Sequence, residues 1–378
     1  MVLASVLASA PLGTEITVYN QGFALVKEAR ALTLSQVRQE VRIEDVAAKI
    51  EPASVSIRNP KNPKAFQVLE QNYQFDLISP LAILNKSVGK KVSFTRTFGN
   101  QKETVTGVLL SSPTTVVGGT DGSTTTYNGL VIRTDDGKIL LNPTGEIPVL
   151  EIPEGLISKP TLLWDLMAGA SGQQEVELSY LTQGISWRAD YVVHLQPGGA
   201  TANLQGWVTV DNQSGATYRD AKLKLLAGDV NRVRERPEVQ FRMAPAAAKA
   251  ADAGFAEESL FEYHLYTLQR PATVRDREIK QLSLLEAAGL KVQKNLVVEF
   301  PSVGIGGPSE GTVSLKPAVE IEFLNVATNG LGVPLPKGIV KVYQSDQSGS
   351  VQMLGEDSIE HTPKEEKVVL RIRQSVDI

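Results

Sequence analysis

The chain has 378 residues, of which 42% are hydrophobic and 21% charged, and a net charge of −4. That length suits two to four domains with ordinary cores, and the mild acidity predicts no nucleic-acid partner and no attraction to an anionic membrane surface. Cysteine is absent, which excludes disulfides, thiolate metal sites and a cysteine nucleophile.

Residues 1–14 read as the remnant of a secretory signal or as a disordered start. "MVLASVLASAPLG" is a short apolar run ending in Ala8-Ser9-Ala10, a cleavage-site pattern, although the first basic residue is Lys27. The expected localisation is therefore exported, periplasmic or extracellular. No apolar run approaches the length of a transmembrane helix.

From there on, period-2 alternation dominates, the mark of half-buried strands. Residues 15–76 are expected to form an N-terminal β unit. "ITVYNQGFALVKEARAL" reads as a hairpin turning at Asn20-Gln21-Gly22, and "QEVRIEDV" and "ASVSIRNP" add short strands. Residues 77–153 suggest an inserted small SH3-like or Sm-like barrel. A short helix in "LISPLAILNKSVG" precedes five strands, with a tight turn at Asp135-Asp136-Gly137. Lys86, Lys90, Lys91, Arg96 and Lys102 gather here with Phe94 and Phe98, so RNA binding is one reading and a solvated barrel rim over core aromatics the other.

Residues 154–235 are the most regular block and read as a central antiparallel β-sandwich. Residues 236–258 are Ala-rich with Pro237, Pro245 and Gly254, and read as a linker. Residues 259–378 return to strands that continue the sandwich, and an end in an apolar strand reads as a truncation. The fold class is all-β: antiparallel β-sandwich units with one small inserted barrel.

"LTQGISWRADYVVHL", residues 181–195, holds the candidate site residues. Trp187, Ala189, Tyr191, Val193 and Leu195 alternate with Ser186, Arg188, Asp190, Val192 and His194. Asp190 and His194 invite a catalytic reading. At the rise of a strand they lie about 13 Å apart, beyond the reach of an acid–base pair. The strand therefore reads as a sandwich wall whose outer face carries Arg188, Asp190 and His194 to solvent or to cross-strand pairs. Trp207, in "LQGWVTVDNQSG", is placed on an outward face with Gln205 and Thr209. There it would stack on a sugar or a protein, or pack against another unit. Arg188, Asp190, His194 and Trp207 are the candidate binding residues.

The three histidines, His194, His264 and His361, show no metal-ligand spacing. There is no G-x-S-x-G elbow, and the Gly-rich "SVGIGGPSEG" lacks the Lys-Ser/Thr of a phosphate loop. Asp229 and Asn231 alone do not make a calcium site. No catalytic residue, cofactor or metal is assigned.

"YLTQGISWRADYVVHL", "LQGWVTVDNQSGATYRDAKLKLLAGDVNR", "NGLGVPLPKGIVKVY" and "LGEDSIEHTPKEEKV" together resemble the bacterial "domain of unknown function 4139" family, also called mucoidy-inhibitor-A-like. "ITVYNQGFALVKEARAL" is similar to the start of its exported members. The resemblance covers 16–58, 177–232 and 259–378, and residues 77–153 look like an insertion that part of the family carries. It implies an exported, sandwich-rich protein and brings no activity, cofactor or catalytic residue. Family members continue past Asp377-Ile378 into a further sandwich. The resulting expectation is a non-catalytic scaffold or interaction module of the cell envelope that binds protein or polysaccharide. A secreted hydrolase with its site between sandwich units is the alternative, and Sm-like RNA binding a third.

Overall fold

The computed structural model describes residues 5–35, 37–98, 101–111, 114–119, 122–127, 129–143, 145–148, 151–228, 230–232, 255–260, 263–298 and 317–374. The protein is all-β, with one short α-helix among the described residues. It divides into two compact units: residues 1–8, 33–46 and 64–172, and residues 9–32, 47–63 and 173–378.

The first unit holds a four-stranded sheet in the order Ser5–Leu7, Arg38–Glu44, Thr161–Ala168, Phe66–Gln74. Ser5–Leu7 forms a parallel edge strand on Glu40–Arg42. Thr161–Ala168 is central and reads as a near-continuous buried run, so Leu162, Trp164 and Leu166 are all sealed in the core. The Trp164 indole N–H finds its partner in Gln71 Oε1 at 2.8 Å.

The same unit carries the small inserted sheet, ordered Ile139–Leu141, Val131–Thr134, Gln101–Leu109, Lys91–Phe98. Phe94, Leu109, Leu130 and Ile132 form its core, with Leu84 of the helix Pro80–Lys86 packed against it. The Ser79 hydroxyl caps that helix, accepting the Ala82 N–H at 3.1 Å. A hairpin of Thr114–Gly119 and Gly122–Tyr127 is added to what the sequence suggested. The five-stranded closed barrel is not formed among the described residues. Four strands pair, and Glu146 of the fifth expected strand bridges Thr95 through two 2.8 Å hydrogen bonds. Pro143, Pro148 and Pro153 have no N–H to donate to a ladder.

The second unit is the sandwich. Its larger sheet runs Phe255–Leu260, Tyr263–Leu268, Tyr218–Ala227, Gly13–Tyr19, Phe23–Leu34, Gly172–Gln183, Ser56–Arg58, with Ala272–Val274 also on Tyr218–Ala227. The five-stranded sheet runs Glu278–Lys291, Thr201–Asn212, Ile185–Leu195, Gly338–Ser345, Val351–Ile359. Trp187 crosses between them: its indole N–H donates to Leu226 O at 3.1 Å, and its ring meets Tyr266 edge-on at 6.1 Å. A third sheet joins Gln293–Val297, Ala318–Leu324 and Lys367–Gln374.

Residues 15–76 do not stay together as one unit. Gly13–Tyr19 pairs in parallel with Tyr218–Ala227, and Ser56–Arg58 pairs with Gly172–Gln183, so both enter the sandwich. Arg38–Glu44 and Phe66–Gln74 pair with Thr161–Ala168 in the other unit. These long-range partners leave no mark on local alternation. Most of the linker expected at 236–258 lies outside the described residues, but its last positions belong to the strand Phe255–Leu260.

Candidate functional site

The strand Ile185–Leu195 follows the alternation of its sequence. Trp187, Ala189, Tyr191 and Val193 are buried, and Arg188, Asp190 and His194 stand on the opposite face. Register then decides their neighbours. Asp190 lies opposite Trp207, which lies opposite Ser283, and Arg188 lies opposite Thr209. All four candidate residues thus share the outward face of the five-stranded sheet.

Asp190 is the centre of a polar chain. Its Oδ1 accepts Arg188 Nε–H at 3.2 Å and its Oδ2 accepts the Thr209 hydroxyl at 2.5 Å. Gln281 Nε2 in turn donates to Thr209 Oγ1 at 3.3 Å. The carboxylate is therefore held by donors on two strands, beside the half-buried Trp207. His194 takes no part in this chain. Its ring stacks on Tyr343 with centroids 5.3 Å apart and planes 24° from parallel, because His194 and Tyr343 are register partners on parallel strands. Asp190 and His194 form no dyad. Trp207 and Tyr343 lie two strands and four positions apart, roughly 16 Å, on the one face.

The buried face fixes this wall. Tyr191 lies under it, its hydroxyl donating to Pro336 O at 2.8 Å, and burial pushes that phenol well above its usual pKa. It stays protonated and keeps the bond. Among the described residues, no group of three His, Asp or Glu side chains could hold a metal ion. Asp229 lies outside the described residues. On the small inserted sheet Phe94 is buried in the core, so it is not a stacking platform, and Lys86 and Lys91 are paired with Asp76 and Asp135. The side chains of Arg96 and Phe98 lie outside the described residues.

Gln281 and Tyr343 were not singled out by sequence, and Thr209 was named only as an outward neighbour of Trp207. Alternation puts each on an outward face, but only strand register brings them to Asp190 or His194. His264 and His361 are 97 positions apart in sequence and show no metal-ligand spacing. Their rings stack at 6.2 Å. No protein-family model and no curated protein matches the chain. The fold defines the class: an all-β protein whose sandwich presents an aromatic and polar sheet face.

Proposed function

We propose that the protein is a non-catalytic interaction module of the bacterial cell envelope, exported, which binds protein or polysaccharide through the outward face of the five-stranded sheet. The observation that carries this reading is Trp207 set beside a carboxylate whose oxygens are already held by Arg188 and Thr209. A carboxylate so engaged is poorly placed for general-base work and well placed to keep a rigid binding surface. Trp207 and the His194–Tyr343 stack supply two flat rings for a sugar face or an apolar side chain. The resemblance to the "domain of unknown function 4139" family supports export and an envelope setting.

The test is a pull-down from solubilised envelope fractions run beside a glycan array. The expected result is a saturable partner lost with Trp207→Ala while the far-UV circular dichroism is unchanged. A partner retained by Trp207→Ala moves the binding surface elsewhere. Absence of any partner at micromolar concentration, with turnover in a broad hydrolase screen, overturns the reading.

A further inference from the structure

The parallel strands Ile185–Leu195 and Gly338–Ser345 pair only from Ala189 opposite Gly338 onward. Ahead of that point Leu335 is tied to Thr362 instead, by two hydrogen bonds of 2.9 Å. Pro334 and Pro336 have no N–H to offer a ladder, and the Pro336 carbonyl is taken by Tyr191. The strands part, and a recess of about 280 Å³ opens at the fork.

Arg188 and Lys337 line it, with Asn20 and Ser358 as neutral polar groups and Trp187 and Ile339 as apolar surface. His361 completes the wall. Its Nδ1 accepts the Lys337 backbone N–H at 3.1 Å, which fixes the ring. No acidic residue is among the described residues that line the recess. Asp190 and Glu360, which pair with Arg188 and Lys337, are not part of the wall. Asp190 takes the Arg188 Nε–H, and the Nη donors remain for a ligand.

We propose that this recess binds a small hydroxylated carboxylate of single-ring size, a sugar acid. The volume sits at the low end for small-molecule sites, enough for one ring and not for a chain. Arg188 Nη and Lys337 Nζ meet the carboxylate, Asn20 and Ser358 meet hydroxyls, and Ile339 meets the C–H face of the ring. The proposal holds whether or not the sheet face binds anything.

The test is calorimetric titration of the full chain with D-glucuronate, beside glucose, benzoate and inorganic phosphate. Glucuronate is expected to bind at least about tenfold more tightly than each of the others, and Arg188→Gln and Lys337→Gln each to weaken it about fivefold or more. Lys291→Gln removes the same charge from an exposed strand end outside the recess and is expected to leave binding unchanged. A glucuronate oligomer that binds more tightly than the monomer identifies a polymer as the source, and equal binding identifies the free acid; both support the site. Equal affinity for glucose and glucuronate, tighter binding of phosphate or benzoate, or no binding of glucuronate by folded protein at about 10 mM overturns it.

Discussion

Removing the guanidinium from the buried pair Glu28–Arg30 is the sharpest test of how the sandwich core is held. The two residues lie on Phe23–Leu34 two positions apart, hence on one face, with side chains only 5% and 3% exposed. Arg30 donates from Nε at 2.8 Å and Nη2 at 2.6 Å to the same Glu28 oxygen, and from Nη1 to Ser9 O at 3.2 Å. Arg30→Met keeps an unbranched apolar stem but takes the Arg30 charge away from the buried Glu28 carboxylate. Breaking such a pair from one side costs about 3–5 kcal/mol, a large share of a total stability of roughly 5–15 kcal/mol. In the double variant Glu28→Leu with Arg30→Met no charge remains to be desolvated, and most of that loss is expected to be recovered. Urea unfolding followed by tryptophan fluorescence measures both. The two units need separate transitions in the fit: Trp187 and Trp207 belong to the sandwich and Trp164 to the other unit. A cost below about 1 kcal/mol for Arg30→Met, or a double variant as unstable as the sum of the singles, refutes the reasoning.

Asn325 is fully buried and gathers the chain around the fork: its Nδ2 donates to the carbonyls of Val333 and Pro363 at 2.8 and 2.9 Å, and its Oδ1 accepts the Gly332 N–H at 3.0 Å. Asn325→Ala is expected to cost about 2–4 kcal/mol in chemical denaturation, because several buried backbone groups lose partners together. A Cβ on Gly338 would sit 2.4 Å from Ala189 O, so Gly338→Ala must spread the parallel pair at the mouth of the recess; a loss of roughly 1–3 kcal/mol is expected, with faster amide exchange at Ala189–Tyr191. For Glu15, burial pushes the carboxyl pKa up, but the hydrogen bond and charge of Lys224, with Lys222 and Lys27, outweigh it and hold the value below the ordinary 4.5. A depressed folded value means the stabilisation is present above the ordinary carboxylate range and is lost as pH falls through the folded value. In an NMR titration Lys224→Met should raise the Glu15 pKa and shrink this acid-side loss; an unchanged value would show that Lys224 is not the cause.

Much of this molecule is decided by local chemistry and so is legible in the chain itself. Alternation along Ile185–Leu195 separates Trp187, Ala189 and Tyr191 from Arg188, Asp190 and His194, because successive side chains of a strand point to opposite faces. Asn20-Gln21-Gly22 and Asp135-Asp136-Gly137 turn the chain where they stand, with Gly22 and Gly137 at φ of 88° and 87°. The all-β class follows from the same signals. Pairing between distant strands has no such local signal. That Gly13–Tyr19 lies parallel to Tyr218–Ala227, that Asp190 meets Thr209, and that Glu146 bridges to Thr95 on the inserted sheet are outcomes of register and burial across the whole chain. The outward face was legible residue by residue. The network around Asp190 and the recess at the fork belong to tertiary structure alone, because a strand carries its own periodicity but not the identity of its neighbours.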